Sequence, residues 1–450
     1  MKGRILTALI IIVITVFASA CVSSGGSKHS TTKPSTTRSW GEAIGDRPLT
    51  IGMTAAQMSN GDYVVVGMTN ATHGQAGGVK AEDFLVIMMN PDGKVLWQKT
   101  YGGKSWDYAI SVAVSKKGEI AIGGSSGSFG GAWLLLLDDE GNILGQFKYQ
   151  GMSINALAFD GSDIVAAGRY GMSAMLLKIA SNGSVIWSYV INNSRVTAPS
   201  SLALLPNGNI LVAGTTSGFG NGGDDFWLAE FDSKGKLMWQ KAYGGKGEDI
   251  LYGMAVHGDT AYLSGTTNSF GVNKYSALLL ETDLSGNLKW ARVFVPPREG
   301  WANSVAVSKS GDVLLGGISH SSNGSYAWLA ELRDGNVMWQ RFFGGTGMTW
   351  VKTVRATDGG YLAVGSYEAI GAMSLLKPPE SRSVLVMKLG DTPPSGQGFV
   401  NASFTVRSVK VTTAKGKTNV EKTLKVTPEN TNALSTDVNL PVRLLWRSTR

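Results

Sequence analysis

"NPDGKVLWQKTYGG", residues 90–103, has a near copy in "FDSKGKLMWQKAYGG", residues 231–245, and following its tryptophan along the chain decides the fold. The motif returns as "GSVIWSYVINN" at Trp187, "GNLKWARVFVP" at Trp290 and "GNVMWQRFFGG" at Trp339, while "GNILGQFKYQG" carries Gly145 at the tryptophan position. From Trp97 onward these positions lie 48, 42, 52, 51 and 49 residues apart. A repeat of that length, holding several short strands, is the signature of a β-propeller.

Residues 107–150 show what one unit contains. "AISVAVS", "EIAIGGS", "AWLLLLD" and "NILGQFKY" are four short apolar or alternating runs separated by glycine turns, which reads as a four-stranded antiparallel sheet. Such a sheet cannot hide both faces alone, so each unit needs its neighbours. Six units end at a tryptophan-type position. A seventh begins "TGMTWVKTVRATDGGYLAVGS" and runs through "SVLVMKLGD" into "TPPSGQG" with no fourth strand. "RSWGEAIGDRPLTIGMTAAQ" places Trp40 ahead of the first unit in the register that Trp97 holds before the second. The expected fold is therefore an all-β, seven-bladed propeller of four-stranded blades over residues 40–390. The N-terminal strand around Trp40 closes the ring and removes an exposed sheet edge. Trp40, Trp97, Trp187, Trp239, Trp290 and Trp339 are its blade-docking residues.

A linker at 391–398 leads to residues 399–450, rich in Val and Thr. This tail reads as a short basic β appendage packed on the propeller, or as an extended arm. The formal net charge of +8 belongs to the two ends. Residues 1–39 hold five cations and no acid, and residues 399–450 hold nine cations against three acids, which leaves −3 for the body between them. That distribution argues against nucleic-acid binding.

"MKGRILTALIIIVITVFASAC" has a basic start, an apolar run too short to span a bilayer, and small residues before Cys21, the only cysteine, which reads as a secretory signal. Its end resembles a prokaryotic lipobox, with Ala18 where leucine is usual. The resemblance implies a diacylglyceryl group on Cys21, signal residues 1–21, a flexible Ser/Thr-rich stalk over 22–39 and an extracytoplasmic, membrane-anchored protein. Asn70, Asn182, Asn192, Asn323 and Asn401 stand in N-glycosylation sequons.

The unit ending "FDSKGKLMW" or "TDLSGNLKW" resembles the tryptophan-docking repeat of quinoprotein-like propellers, and "DGGYLAVG" (358–365) and "NGDYVVVG" (60–67) resemble repeats of secreted prokaryotic propellers. "IAIGGSS" and "VLLGGIS" carry a kelch-like glycine doublet that the other units mostly lack. The enzymatic branch of the quinoprotein-like family implies a quinone cofactor, a calcium ion and often a disulfide. A single cysteine forbids the disulfide, and no stretch supplies the other contacts, so neither cofactor nor metal is expected. His29, His73, His257 and His320 are scattered through Ser-, Gly- or Asn-rich stretches. Asp107 and Asp249 recur after "YGG" and read as turn caps rather than metal carboxylates. No P-loop or HExxH motif occurs. The functional expectation is a monomeric, membrane-anchored binding or scaffold module for a protein or glycan. The alternative is a quinoprotein-like oxidoreductase or glycan-active enzyme whose acids converge only in three dimensions.

Overall fold

The computed structural model describes residues 39–447 apart from 46–48, 71–74, 77–78, 323, 345–346, 369–381, 391, 396–398, 401–403, 417–419, 423–425, 427, 432, 439 and 441. Cys21, Asn323, Asn401, His29 and His73 lie outside the described residues, as do the signal and stalk segments. The first blade comprises Thr50–Gln57, Tyr63–Thr69, Asp83–Met89 and Val95–Gly102, paired in that order from the axis outward. The pattern repeats with innermost strands at Asp107–Val114, Met152–Asp160, Thr197–Leu204, Asp249–His257, Gly300–Val307 and Trp350–Thr357. In the seventh blade, Trp40–Ile44 pairs with Arg382–Leu389, from Trp40 against Lys388 to Ile44 against Val384. The first strand of the propeller and the last before the tail are thereby sewn into one sheet.

Each recurring tryptophan lies on the fourth strand of its blade, and all but Trp339 reach the last turn of the next. The Trp40 indole N–H donates to the Pro91 carbonyl at 3.0 Å, and that of Trp97 to the Asp139 carbonyl at 2.9 Å. The turn must approach the ring closely. A Cβ at Gly93 would stand 3.1 Å from the Trp40 ring, and one at Gly141 3.0 Å from that of Trp97. Both glycines also have positive φ, at 90° and 79°, where other residues are strained. Lys99 lies over the Trp97 ring and donates to the Glu140 carbonyl at 2.9 Å, so the indole is held from both sides. Trp187, Trp239 and Trp290 meet Gly235, Gly286 and Gly335 in the same way. The Trp239 and Trp339 indoles donate within their own blades, to Glu230 and Glu331, each at 2.6 Å. The second blade explains its missing tryptophan. Phe147 covers the turn at Gly183 and also packs over Gly145, where a Cβ would stand 3.0 Å from its ring.

The tail is a β-rich appendage packed on the propeller, as expected, and it is extended along the whole rim. It runs backwards around the ring and adds a fifth antiparallel strand to every blade. Phe399–Val400 joins the sixth blade, Thr405–Ser408 the fifth, Thr412–Lys415 the fourth and Val420–Lys422 the third. Glu429–Asn430 joins the second, Leu434–Asp437 the first, and Val442–Arg447 pairs with the closing strand Trp40–Ile44. Between blades it sinks one side chain into the core: Phe404, Val411, Ala433, Leu440 and Trp446 are buried, and Val426 is partly so. These positions fall close to multiples of seven residues. Seven extended residues at ~3.3 Å each supply ~23 Å of outer perimeter per blade.

The glutamine that follows the tryptophan in several repeats clasps this belt. Gln340 accepts from the Phe404 N–H at 3.0 Å and from the Trp328 indole at 3.2 Å, and donates to the Phe404 carbonyl at 3.1 Å. Gln98 donates to the Leu440 carbonyl at 3.1 Å. Gln146 accepts from Thr431 at 2.6 Å and from the Ala433 N–H at 2.9 Å. In the closing strand Gly41 stands at this position, and a Cβ there would be 2.3 Å from the Trp446 indole nitrogen. Gln340→Ala removes three buried hydrogen bonds and strands the Trp328 indole. It is expected to lower stability by about 2–4 kcal/mol, and Gln98→Ala by about 1 kcal/mol, in equilibrium denaturant unfolding. Equal small losses in both would refute the clasp.

Candidate functional site

All seven innermost strands carry one extra residue, a β-bulge, at the same height. The outward side of each strand is paired and its faces are covered by neighbouring blades, so the extra residue protrudes toward the axis. Met53 and Ile110 are the apolar members of this ring, Asn155, Ser200, Tyr252 and Asn303 the polar ones, and Lys352 the charged one. Three of them tie adjacent blades together around the throat. Asn155 donates to the Pro199 carbonyl at 2.9 Å, Ser200 to the Leu251 carbonyl at 3.2 Å and Asn303 to the Val351 carbonyl at 2.8 Å.

The two ends of the channel differ. At one, the connections between first and second and between third and fourth strands are tight turns such as 58–62, 90–94 and 138–142, closed by Asn and Asp side chains bonding their own backbones. At the other lie the second-to-third connections, including 217–224 and 268–275, together with the crossings between blades. This loop face gathers aromatic groups. Trp106, 40% exposed, stacks on Tyr108 with centroids 5.1 Å apart. Trp301 meets His320 edge-on at 4.9 Å, and the Arg382 guanidinium lies 5.8 Å from the Trp350 ring. Tyr108, Trp301 and Trp350 each stand two residues ahead of a bulge and so sit at the channel mouth. Burial pushes the His320 imidazolium down, against the opposing charge of Glu299, which keeps that ring neutral and suited to stacking at pH 7.

Beneath this face are two equivalent carboxylate pairs, Asp83 with Asp107 and Asp225 with Asp249, each straddling a blade junction. All four are buried. Within each pair the spacing is 24 residues, a coincidence visible in the sequence that would have revealed them. Asp107 accepts from the Gly103 N–H at 3.0 Å and Ser128 at 2.8 Å, and Asp249 from the Gly245 N–H at 2.8 Å and Ser269 at 2.9 Å. Their geometry is that of turn caps. A Cβ at Gly102 or Gly244 would fall between the two carboxylates of its pair. Among the described residues no group of three His, Cys, Asp or Glu side chains is disposed to hold a metal ion.

The other residues singled out in the sequence are dispersed. Asn182 and Asn192 are exposed and bond the backbone N–H of Ser184 and Ser194 locally, at 3.0 and 2.9 Å. Asn70 follows the second strand of the first blade, partly buried, and His257 ends the inner strand of the fifth. The tryptophans stand on blade junctions, away from the mouth. The bulge ring escaped sequence reading because its seven members share a position and no chemistry.

No family model and no curated protein matches the chain. Among solved structures it is similar to the β-propeller domain of the trilobed protease from Pyrococcus furiosus, described as having an open velcro topology. The two are 10% identical, with a TM-score of 0.44, over 77% of this chain and 93% of that one. It is also similar to a putative gluconolactonase, 12% identical with a TM-score of 0.36, over 70% of this chain and 90% of that one.

Burial, with added repulsion from Asp249 and Asp224, pushes the Asp225 carboxyl up to about 6, against the Asn221 N–H that holds its anion. In the unfolded chain it titrates near 3.9. The native state thus binds the extra proton between these values, and stability falls as pH rises through that window and stays lower above it. Asp225→Asn is expected to stabilise the protein by on the order of 1–3 kcal/mol at pH 7.5, with the gain gone at pH 4. Thermal melts at the two pH values check this, and a pH-independent difference would show that ionisation is not the cause.

Proposed function

We propose that this chain is an exported β-propeller, anchored through a lipid on Cys21, whose loop face binds a glycan at the mouth of the axial channel. The observation that carries this reading is the set of partly exposed rings Tyr108, Trp301 and Trp350 around that mouth, with Trp106 beside them. Aromatic faces stack on the apolar faces of sugar rings and offer rigid contact area at little entropic cost. Carboxylates stand close by for hydroxyl recognition, since Tyr275 donates to Glu248 on the same face.

The tryptophan-docking repeat is of the quinoprotein-like kind, and here it serves construction. The paired acids Asp83, Asp107, Asp225 and Asp249 are buried beneath the loops, and Asp107 and Asp249 cap the turns at Gly103 and Gly245. The lipobox-like "FASAC" and the polar stalk after it support anchoring at a membrane surface with the ring held outside.

The test uses the full chain recovered from membranes of its own host. The wild type is expected to be retained on immobilised surface polysaccharide, with Trp106→Ala and Trp301→Ala each weakening retention about tenfold, the loss of ~1.4 kcal/mol of stacking. Cys21→Ser is expected to release the protein from the membrane fraction without altering retention. A wild type that ignores the polysaccharide, or variants that bind as well as the parent, would overturn the glycan reading. Retention of Cys21→Ser in the membrane would overturn the anchor alone.

A further inference from the structure

Lys352 is the bulge residue of the seventh blade's inner strand, Trp350–Thr357. Its chain neighbours Val351 and Thr353 are fully buried against the flanking blades, and only Lys352 between them retains solvent exposure. On an innermost strand, exposure of that kind opens onto the axis. The side chain has no hydrogen-bond or ion-pair partner among the described residues. Burial alone holds its ammonium pKa down to about 8, so at neutral pH it still carries a charge that no group among the described residues pairs with.

The rest of the throat makes this isolation significant. Apart from residues at their ends, the seven innermost strands contain two charged residues, Lys352 and Arg355, and both belong to the same strand. Arg355 is spent on the seam between the last and first blades, donating to the Ala55 carbonyl at 3.1 Å and Thr54 at 2.8 Å. Acids on these strands, Asp107, Asp160 and Asp249, stand only at the ends. At mid-height the inner strands thus carry positive charge and no acid, and low-dielectric surroundings strengthen its field. Packing does not demand a cation here, because Met53 fills the equivalent position in the adjacent first blade. An unpaired charge drawn partly out of water is costly to a fold, and an anionic ligand offsets that cost.

We propose that the axial throat is a binding site for a small oxyanion, a phosphate or carboxylate group, held by Lys352 with the Asn303 amide and the Tyr252 hydroxyl at the same height of the ring. The site lies on the channel axis, below the aromatic mouth, and its occupant is either a free ion or the charged group of a larger molecule entering from the loop face. The inference stands apart from the glycan reading, since it does not require that the mouth bind sugar.

Thermal unfolding of the full chain tests it, with inorganic phosphate and, separately, acetate added against sodium chloride at matched ionic strength. The wild type is expected to gain about 2–4 °C in saturable fashion with at least one of the two, and which one responds identifies the group preferred. Lys352→Met, which copies the first blade, is expected to melt at or above the ligand-free wild type and to show no anion-dependent gain. Lys352→Arg is expected to retain the gain, which guards against a methionine variant that fails to fold. A wild type that responds to neither anion beyond chloride, or an equal response in Lys352→Met, would overturn the proposal.

Discussion

An unpaired strand edge is the constraint on which the rest of this molecule depends. A ring of separate sheets buries its faces automatically, but every blade presents its outermost N–H and C=O groups around the perimeter. Here a single extended segment pairs with all seven. Because it visits the blades in reverse order, from the sixth down to the first and then the seventh, it crosses six of the seven blade junctions as well as every edge. Its last strand, Val442–Arg447, lies on the strand from the other end of the chain, Trp40–Ile44. The sheet that closes the ring is thus built from three separate parts of the sequence, and opening it requires parting both termini from the same blade.

The seam between the last and first blades shows how polar groups follow from that closure. Thr353 donates to the Met53 carbonyl at 2.9 Å, Arg355 reaches Thr54 and Ala55, and the Asp358 N–H bonds Gln57 at 3.0 Å. Glu42 sits in the same closing sheet, its carboxyl pushed up to about 7 by burial and only partly drawn back by Arg447. Ionisation there works against the seam, since a buried carboxylate without full compensation is the costly state. Along the tail charges do not sort simply by sign, since Lys415 lies opposite Lys241 while the tail's Glu429 pairs with Lys148 at 2.8 Å.

Architecture was legible in the sequence wherever one residue type performs one geometric task. A tryptophan needs a glycine turn in the next blade, so Trp97, Trp187, Trp239 and Trp290 repeat with their turns and fix the blade count. The tail was illegible for the opposite reason. Phe404, Val411, Ala433, Leu440 and Trp446 occupy comparable sockets, but each fills a differently shaped gap between blades, and a seven-residue rhythm in unlike side chains does not announce itself. The glutamine after the tryptophan was in plain view in "WQK" and "WQR", yet its partner lies up to 342 residues away in the chain. The substitution at Gly145 looked like a degenerate repeat and is a compensated one, since Phe147 does the docking from two residues on.

The candidate site was harder to read because it is made of differences between blades, whereas repeats advertise what blades share. At the bulge, identical backbone geometry presents Met53, Ile110, Asn155, Ser200, Tyr252, Asn303 and Lys352 in turn. Shared backbone carries the ring, so the side chains there are released from any common structural duty beyond filling the throat. Where packing leaves a position free in this way, a departure from the blandest choice needs a cause of its own. Asparagine and serine find that cause in the carbonyl of the next blade. Lysine has no such bond, and its charge remains an energetic debt that packing leaves unsettled. A rigid ring, locked at its edge by one belt, can carry such strain at its centre because the rest of the fold does not yield to relieve it.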